Sequence, residues 1–354
     1  MNIRIYEAGT VPHLRSQTIY HGLAYARTAG TLDTIVIATP GDPYVCIGFH
    51  QDVERELDVE FCERRGLPIL RRETGGGAVY LDSDQLFVQW IMANDSLPAR
   101  VEQRFELFAR PIVETYREFG IAAEFRPVND VHVDGRKIAG TGAARIGNAE
   151  VLVGNFIFDF DTDVMANVLR APSPMFREQV GMSLRRYMTS MRNEGVPVPP
   201  ASEVAAVYRD KCAAALGRRV DPGDLTAREV ASIEAADERF LSAEFVRQPG
   251  GLRWRGVKIH EDVRVAESTQ GSMSITATMR GGLIEDIALT RDDTRADGLA
   301  AALRGVKLSP ESVRHAVRQY YEGRAAPTDS LVASLSIEEW VDAILELRRQ
   351  PQGS

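Results

Sequence analysis

The stretch from Arg71 to Tyr80, RRETGGGAVY, constrains the chain more than any other. Two arginines and a polar pair run into three consecutive glycines, and an apolar run suited to a β-strand follows. Three glycines leave the backbone nearly unrestrained and let it approach a ligand with no Cβ in the way. Successive N–H groups in such a turn form an anion-binding concavity, and neighbouring guanidinium groups add full positive charge. The stretch is therefore a candidate site for phosphate or carboxylate. Taken alone, such a triplet is more often a flexible β-turn with two solvated arginines, so its surroundings must decide.

Those surroundings are strands. Thr34–Phe49 holds two strand-like runs, TIVIATP and YVCIGF, separated by Gly41, Asp42 and Pro43. Asp58 opens a short helix that Gly66 stops, and Leu67–Leu70 is a strand that delivers the chain into the glycines. Leu86–Met92 is almost wholly apolar and predicts a strand covered on both faces. Phe105, Phe108, Ile112, Tyr116 and Phe119 follow helical spacing over residues 101–119, with Pro111 expected to kink or split that helix. Asp134-Gly135 between alternating segments predicts a two-residue hairpin turn. VLVGNFIFDF, from Val151 to Phe160, is another strand. This is an α+β pattern, not regular βαβ alternation, and no G-x-G-x-x-G opens a helix after a strand.

Beyond Phe160 the chain reads as helical or irregular, with helices over 202–216 and 226–240. Gln248-Pro249-Gly250-Gly251 marks the candidate boundary. Short strands at 257–259, 273–279 and 283–289 and helices near 296–303, 309–321 and 337–349 then describe a second α+β module. A chain of 354 residues accommodates two domains, here 1–245 and 246–354.

Net charge is 42 minus 50, or −8, which argues against a general nucleic-acid binder or a membrane-surface protein. Any anionic ligand must be held by local basic residues. Cys46, Cys62 and Cys212 are odd in number and widely spaced, which argues against a disulfide framework and fits a reducing compartment. No histidine has a neighbour at metal-ligand spacing, and no apolar run approaches a membrane span. MNIRIYEAG places charges inside what would be a signal peptide's apolar core, so a cytoplasmic location is expected.

A second constellation lies in NDVHVDGRKIAGTGAAR, residues 129–145. Strict alternation would put Lys137, Ala139 and Thr141 on one face of the strand and Arg136, Ile138 and Gly140 on the other. Small residues around the lysine leave room for a ligand, although lysines on edge strands are most often solvated. Asn129-Asp130 is a turn-former whose oxygens would also suit a nucleotide or Mg²⁺. The pairs Arg185-Arg186, Arg218-Arg219 and Arg348-Arg349 read as solvated faces.

Taken together, RRETGGGAVYLD, NDVHVDGRKIAGTGAAR and VLVGNFIFDFD resemble the lipoate–protein ligase family, of the biotin/lipoate protein ligase superfamily. The likeness covers roughly residues 1–240 as a catalytic domain. WRGVKIHEDVRV and the hairpin ending in IEDIALTRD are similar to the family's accessory domain. The resemblance implies mixed β-sheets packed with helices and a two-step reaction. ATP activates lipoate as lipoyl-AMP, and the lipoyl group then passes to a specific lysine of a lipoyl carrier domain. It implies that Arg71, Arg72, Thr74, Gly75, Gly76, Gly77, Ala78 and Val79 line the lipoate and adenylate pocket. Asn129 and Asp130 would contact the nucleotide, with Asp130 on Mg²⁺. Lys137 would be catalytic at the carboxylate and α-phosphate oxygens, with Gly140, Thr141, Gly142 and Ala143 flanking the adenylate. Gln51, after Ile47-Gly48, matches a polar position of the family. The carrier would be a 2-oxoacid dehydrogenase subunit, a glycine-cleavage H protein or another lipoyl-binding protein, docked on local basic patches such as Arg145, Arg185 and Arg186. The chain departs from many relatives with Val153-Gly154-Asn155 where they carry His-Gly, and with Leu81-Asp82 where they carry His-Asp.

The resemblance leaves rivals. A cysteine-dependent octanoyltransferase, acting without ATP, would carry its nucleophile before the lysine motif, yet residues 122–130 hold no cysteine. A biotin ligase would show a glycine- and arginine-alternating loop in place of RRETGGGAV. A non-catalytic protein that binds lipoyl domains could retain the pocket without the chemistry.

Overall fold

The computed structural model describes residues 2–250, 256–260, 262–270, 272–292, 294–323 and 330–348. They form two compact units. Residues 2–170 with 188–250 make the first, and 171–187 with the described residues from 256 onward make the second.

The first unit opens with β1 (Ile3–Val11), α1 (His13–Ala26), β2 (Thr34–Pro40) and β3 (Tyr44–Ile47). Two short helices follow, α2 (Val53–Glu56) and α3 (Val59–Arg64), before β4 (Ile69–Arg71), β5 (Val79–Leu81) and β6 (Gln85–Met92). After α4 (Val101–Glu118) come β7 (Glu124–Arg126), β8 (Asp130–Val133), β9 (Arg136–Ile146), β10 (Ala149–Ile157) and α5 (Thr162–Val168). Eight strands form one mixed sheet in the order β11-β1-β2-β6-β10-β9-β8-β7, where β11 is Val220–Pro222. The strands β4-β3-β5 form a separate small sheet.

Alternation assigns each face of the large sheet its cover. Trp90, Leu152 and Phe156 point to one side and bury against Phe108, Ile112 and Tyr116 of α4 and Tyr208 of α7 (Ala201–Leu216). There Trp90 Nε1 donates to the Tyr208 hydroxyl at 3.0 Å. Val36, Ile91 and Val151 point to the other side, under Ile19, Tyr20 and Leu23 of α1 and Ile233 of α8 (Ala227–Leu241). Pro111 does not divide α4, which runs unbroken through it, because the buried stripe of Phe108, Ile112 and Tyr116 stays on the sheet. The predicted hairpin turn is present, with Asp134 at φ 48° and Gly135 at φ 75°. A last turn of helix in this unit, α9 (Ala243–Val246), leads towards Gln248.

The second unit includes α6 (Pro174–Tyr187), whereas the sequence expectation places residues up to 245 in the first domain. The reason is local. Gln179 Nε2 donates to Thr278 Oγ1 at 2.6 Å, and Ser173 Oγ donates to Glu267 Oε1 at 2.6 Å. The boundary motif ends on Gly251, outside the described residues, while Gln248 lies in the first unit. Five antiparallel strands, β12 (Val257–His260), β13 (Val263–Gln270), β14 (Met273–Arg280), β15 (Leu283–Arg291) and β16 (Thr294–Arg295), pair in chain order. The strand β13 escapes sequence reading because VRVAESTQ holds few strong strand formers. The helices are α10 (Asp297–Leu303), α11 (Pro310–Glu322), α12 (Ser330–Ala333) and α13 (Ile337–Leu345), and Trp340 of α13 is fully buried. Arg349, the expected end of the last helix, lies outside the described residues.

Candidate functional site

The two sequence constellations meet on the α1 face of the large sheet. A Cβ built on Gly142 of β9 would lie 3.8 Å from the Gly75 carbonyl oxygen and 3.8 Å from Thr74 Cβ. The glycine turn between β4 and β5 therefore lies over the lysine strand.

Arginine sets the shape of that turn. Arg72 Nη2 donates to the carbonyls of Gly75 (3.0 Å) and Gly77 (2.8 Å), and Nη1 donates to Cys46 O (3.2 Å). Two of the turn's carbonyls, those of Gly75 and Gly77, are thus bound to Arg72. Among the described residues, the main-chain N–H groups of Gly75, Gly76 and Gly77 meet no protein acceptor, and Cβ positions at Gly75 and Gly77 face open space. Gly76 sits at φ 102°, and a Cβ on the neighbouring Gly48 would come within 2.2 Å of its carbonyl oxygen. Phe49 N–H donates to Thr74 O (3.1 Å), and Gln51 Oε1 accepts from Gly48 N–H (3.0 Å), so Gln51 braces this loop.

Arg71 is fully buried and faces no open space. Its guanidinium donates to the carbonyls of Phe49 (2.8 Å), Gln51 (2.6 Å), Val246 (3.1 Å) and Gln248 (2.8 Å). Both arginines hold main chain, so the positive charge they bring to the site acts through the shape and potential of the turn. Thr74 is also fully buried; its hydroxyl lies by the Tyr20 phenol yet makes no hydrogen bond of good geometry. Ala78 and Val79 carry the chain from the turn into β5.

A β-bulge aims the lysine. Gly140 pairs with Asp130 and Ala139 with Val131, but His132 pairs with Lys137, leaving Ile138 as the extra residue. The expected strict alternation fails here. Ile138 and Ala139 both enter the core, and Lys137 joins the face of Gly140, where a Cβ would lie 3.1 Å from Lys137 Nζ. Nζ is 2.8 Å from Asp130 Oδ1. Burial pushes the Asp130 carboxyl up, but the Lys137 ammonium and His132 outweigh it and hold the group well below the usual carboxylate range. Asn129 Nδ2 donates to Thr141 O (2.7 Å), and Thr141 Oγ1 donates to Asn129 O (2.7 Å), which ties the loop to the strand. Thr141 and Ala143 alternate to the α4 side, and Ala143 packs on that core, so Gly140 and Gly142 are the members of this motif that face the site.

Sequence reading missed two supports. His21 of α1 is buried and neutral, its pKa lowered to about 3 chiefly by burial. Its Nδ1 faces the Gln17 carbonyl (2.7 Å) and must donate, while Nε2 accepts from the Glu73 N–H (3.2 Å) at the entry to the turn. Asn155, at the Val153-Gly154-Asn155 departure, donates to Gln85 Oε1 (2.8 Å) and accepts from Gly140 N–H (3.4 Å). Neither stands out in a sequence, because each acts through a main-chain group that only the fold supplies.

Among the described residues no three His, Cys, Asp or Glu side chains are grouped to hold a metal, and Asp130 is paired with Lys137. All three cysteines are fully buried, with burial raising each thiol pKa, that of Cys62 to about 11. No described helix is long and apolar enough to cross a membrane.

A glycine turn whose main-chain N–H groups meet no protein acceptor among the described residues thus lies over the strand that carries a carboxylate-paired lysine, on a mixed sheet. Residues 17–213 match the lipoyl protein ligase A/B catalytic domain model, and the chain belongs to that family. It is accordingly an enzyme of the lipoate ligase and transferase group. It is 28% identical to the octanoyltransferase LipM of Kyrpidia tusciae over 57% of this chain and 82% of that one. It is 29% identical to the lipoate–protein ligase LplJ of Bacillus subtilis over 42% of this chain and 44% of that one. In fold it matches a bi-partite lipoate protein ligase solved with its E2 lipoyl domain from Thermoplasma acidophilum. That match has a TM-score of 0.64 and 24% identity, covering 73% of this chain and all of that one.

Proposed function

We propose that this protein is an ATP-dependent lipoate–protein ligase. The observation that carries the reading is the burial of Cys46, Cys62 and Cys212, each fully enclosed with a raised thiol pKa. A thiolate nucleophile needs exposure and a lowered pKa, so no cysteine here is suited to carry an acyl group. Activation then falls to a phosphoanhydride.

In the first step a lipoate carboxylate oxygen bonds the α-phosphorus of ATP as the bond to pyrophosphate breaks and the leaving oxygen keeps the electron pair. Negative charge develops between carboxylate and phosphate. Fixed N–H groups at Gly75, Gly76 and Gly77 and the Lys137 ammonium are suited to stabilise it. Asp130 holds Lys137 in place, and Asn129 with Thr141 holds the loop that presents Asp130. Asp130 is also the residue we propose for Mg²⁺, whose other oxygen ligands would come from the nucleotide phosphates and water. In the second step the neutral amine of a carrier lysine attacks the acyl carbon. An amide forms, AMP leaves with the electron pair, and the amine's extra proton passes to solvent. The carrier is proposed to be a lipoyl domain, with the second unit as an accessory module and the cytoplasm as the location.

The similarity to LipM favours one rival, octanoyl transfer without ATP. Incubation with ATP, Mg²⁺ and lipoate should release pyrophosphate and form lipoyl-AMP. Transfer from octanoyl carrier protein with no ATP, and no adenylation of any medium-chain acid, would replace the ligase by the transferase.

A further inference from the structure

We infer that Arg239 of α8 is a positioning residue for the reaction. With Tyr25 of α1 it holds the Glu73 carboxylate at the entry to the glycine turn, and it cancels a negative charge that would oppose an anionic ligand there. The inference rests on the anion-binding reading of the turn given above. Arg239 Nη2 donates to Glu73 Oε1 at 2.5 Å, and Nη1 donates to the Tyr25 hydroxyl at 2.6 Å. That hydroxyl in turn donates to Glu73 Oε2. Burial, with the Glu73 carboxylate, pushes the Tyr25 phenol up to about 12, so it stays a donor near neutral pH. Both carboxylate oxygens of Glu73 are thus taken. Its N–H donates to His21 Nε2 at 3.2 Å, and the His21 ring packs edge-on against Phe240, the residue after Arg239, with centroids 4.5 Å apart. One end of α8 therefore supports residue 73 through both its side chain and its main chain.

An ordinary surface ion pair is worth little. This one is more enclosed. The Glu73 side chain is 12% exposed, and the Arg239 guanidinium lies 4.5 Å from the Phe245 ring centroid and 5.7 Å from that of Tyr25. Glu73 also stands where a carboxylate is least expected. Gly75 follows two residues on, so its main chain lies within about 7 Å of that of Glu73. That is inside the Debye length of roughly 8 Å at physiological salt. A bare carboxylate at such range repels an acyl carboxylate or a phosphate. The Arg239 cation beside it removes the repulsion, while the hydrogen bonds keep the entry of the turn fixed to both helices. Sequence order hides the pair, since 166 positions separate the partners.

Calorimetric titration of ATP and of lipoate separates charge compensation from plain structural support, with no turnover required. Arg239→Met should weaken binding of the anions roughly five- to ten-fold, the scale for one unit charge about 10 Å away at an effective dielectric near 20, reduced by salt. Glu73→Gln, which keeps an acceptor for Arg239, should tighten binding by a similar factor. The double variant should return close to wild type. The ratio of Arg239→Met to wild type should fall towards one when salt is raised to about 1 M. A purely structural tie predicts the same sign for both single variants and no salt dependence of that ratio. Unchanged or weakened binding in Glu73→Gln, or a folded Arg239→Met that binds as wild type does, would overturn the inference. Should Arg239→Met fail to fold, the sign of the Glu73→Gln change decides. A wild-type protein that binds neither anion would remove the anion-site reading itself, and this inference with it.

Discussion

Gly48→Ala probes the coupling between the β3 loop and the glycine turn with a single methyl group. The added Cβ would sit 2.2 Å from the Gly76 carbonyl oxygen, 3.1 Å from Gly76 C and 3.3 Å from Gly75 C. Every atom it meets is main chain, so no rotamer change relieves the contact. Restoring even a 3.0 Å separation needs a shift of 3.0 minus 2.2, or 0.8 Å, in one loop or the other. Phe49 N–H on Thr74 O and Arg72 N–H on Ile47 O (3.0 Å) resist that shift. Overpacking of this kind costs about 1–3 kcal/mol. The larger effect should fall on catalysis, where a displacement near 1 Å can cost roughly a hundred-fold. Thermal melts and pyrophosphate release, compared with Gly30→Ala, whose Cβ meets nothing within 4 Å, separate the two effects. A Gly48→Ala protein with wild-type melting and wild-type turnover would refute the claim that this contact sets the turn.

Other consequences are equally direct. Lys137→Met should abolish adenylation and leave the Asp130 carboxylate buried without its cation, at a cost of roughly 1–3 kcal/mol near neutral pH. In the wild type the Asp130 pKa is depressed, so its stabilisation is present above the unfolded-state pKa and is lost as pH falls through the lower folded value. In Lys137→Met the burial that already pushes this group up loses its main opponent. Denaturant melts should therefore show the deficit shrinking as pH drops below about 4; a deficit independent of pH would remove Asp130 from the account. Arg71→Met strands four or more buried carbonyls and should destabilise by more than about 3 kcal/mol, read by urea unfolding. An Arg71→Met protein of normal stability but weakened ATP binding would show that Arg71 contacts the nucleotide. Iodoacetamide should leave native activity intact and label the cysteines only on unfolding; rapid loss of activity with one equivalent bound would restore a thiol mechanism.

The elements of this fold are largely legible in local pattern. Alternation finds β2, β6 and β10, the helical stripe of Phe108, Ile112 and Tyr116 finds α4, and Asp134-Gly135 finds its turn, because each signal is carried by neighbouring residues. β13 is not legible, since its burial depends on strands paired beside it. The identities at the site were legible for the same reason, and RRETGGG with the lysine hairpin points to an anion. Their directions were not. Arg71 and Arg72 read as charges awaiting a ligand, yet the fold surrounds each with carbonyl oxygens that no sequence displays. Lys137 reads as facing away from Gly140, and one bulged residue, Ile138, reverses it. The sequence by itself determined which chemical groups the protein owns and where its glycines run together beside arginines. Tertiary structure alone decided which arginine donors are spent on main chain, which side of β9 faces the turn, and that His21 braces the turn's entry. These depend on register and on hydrogen-bond partners distant in the chain, and local residue order does not encode them.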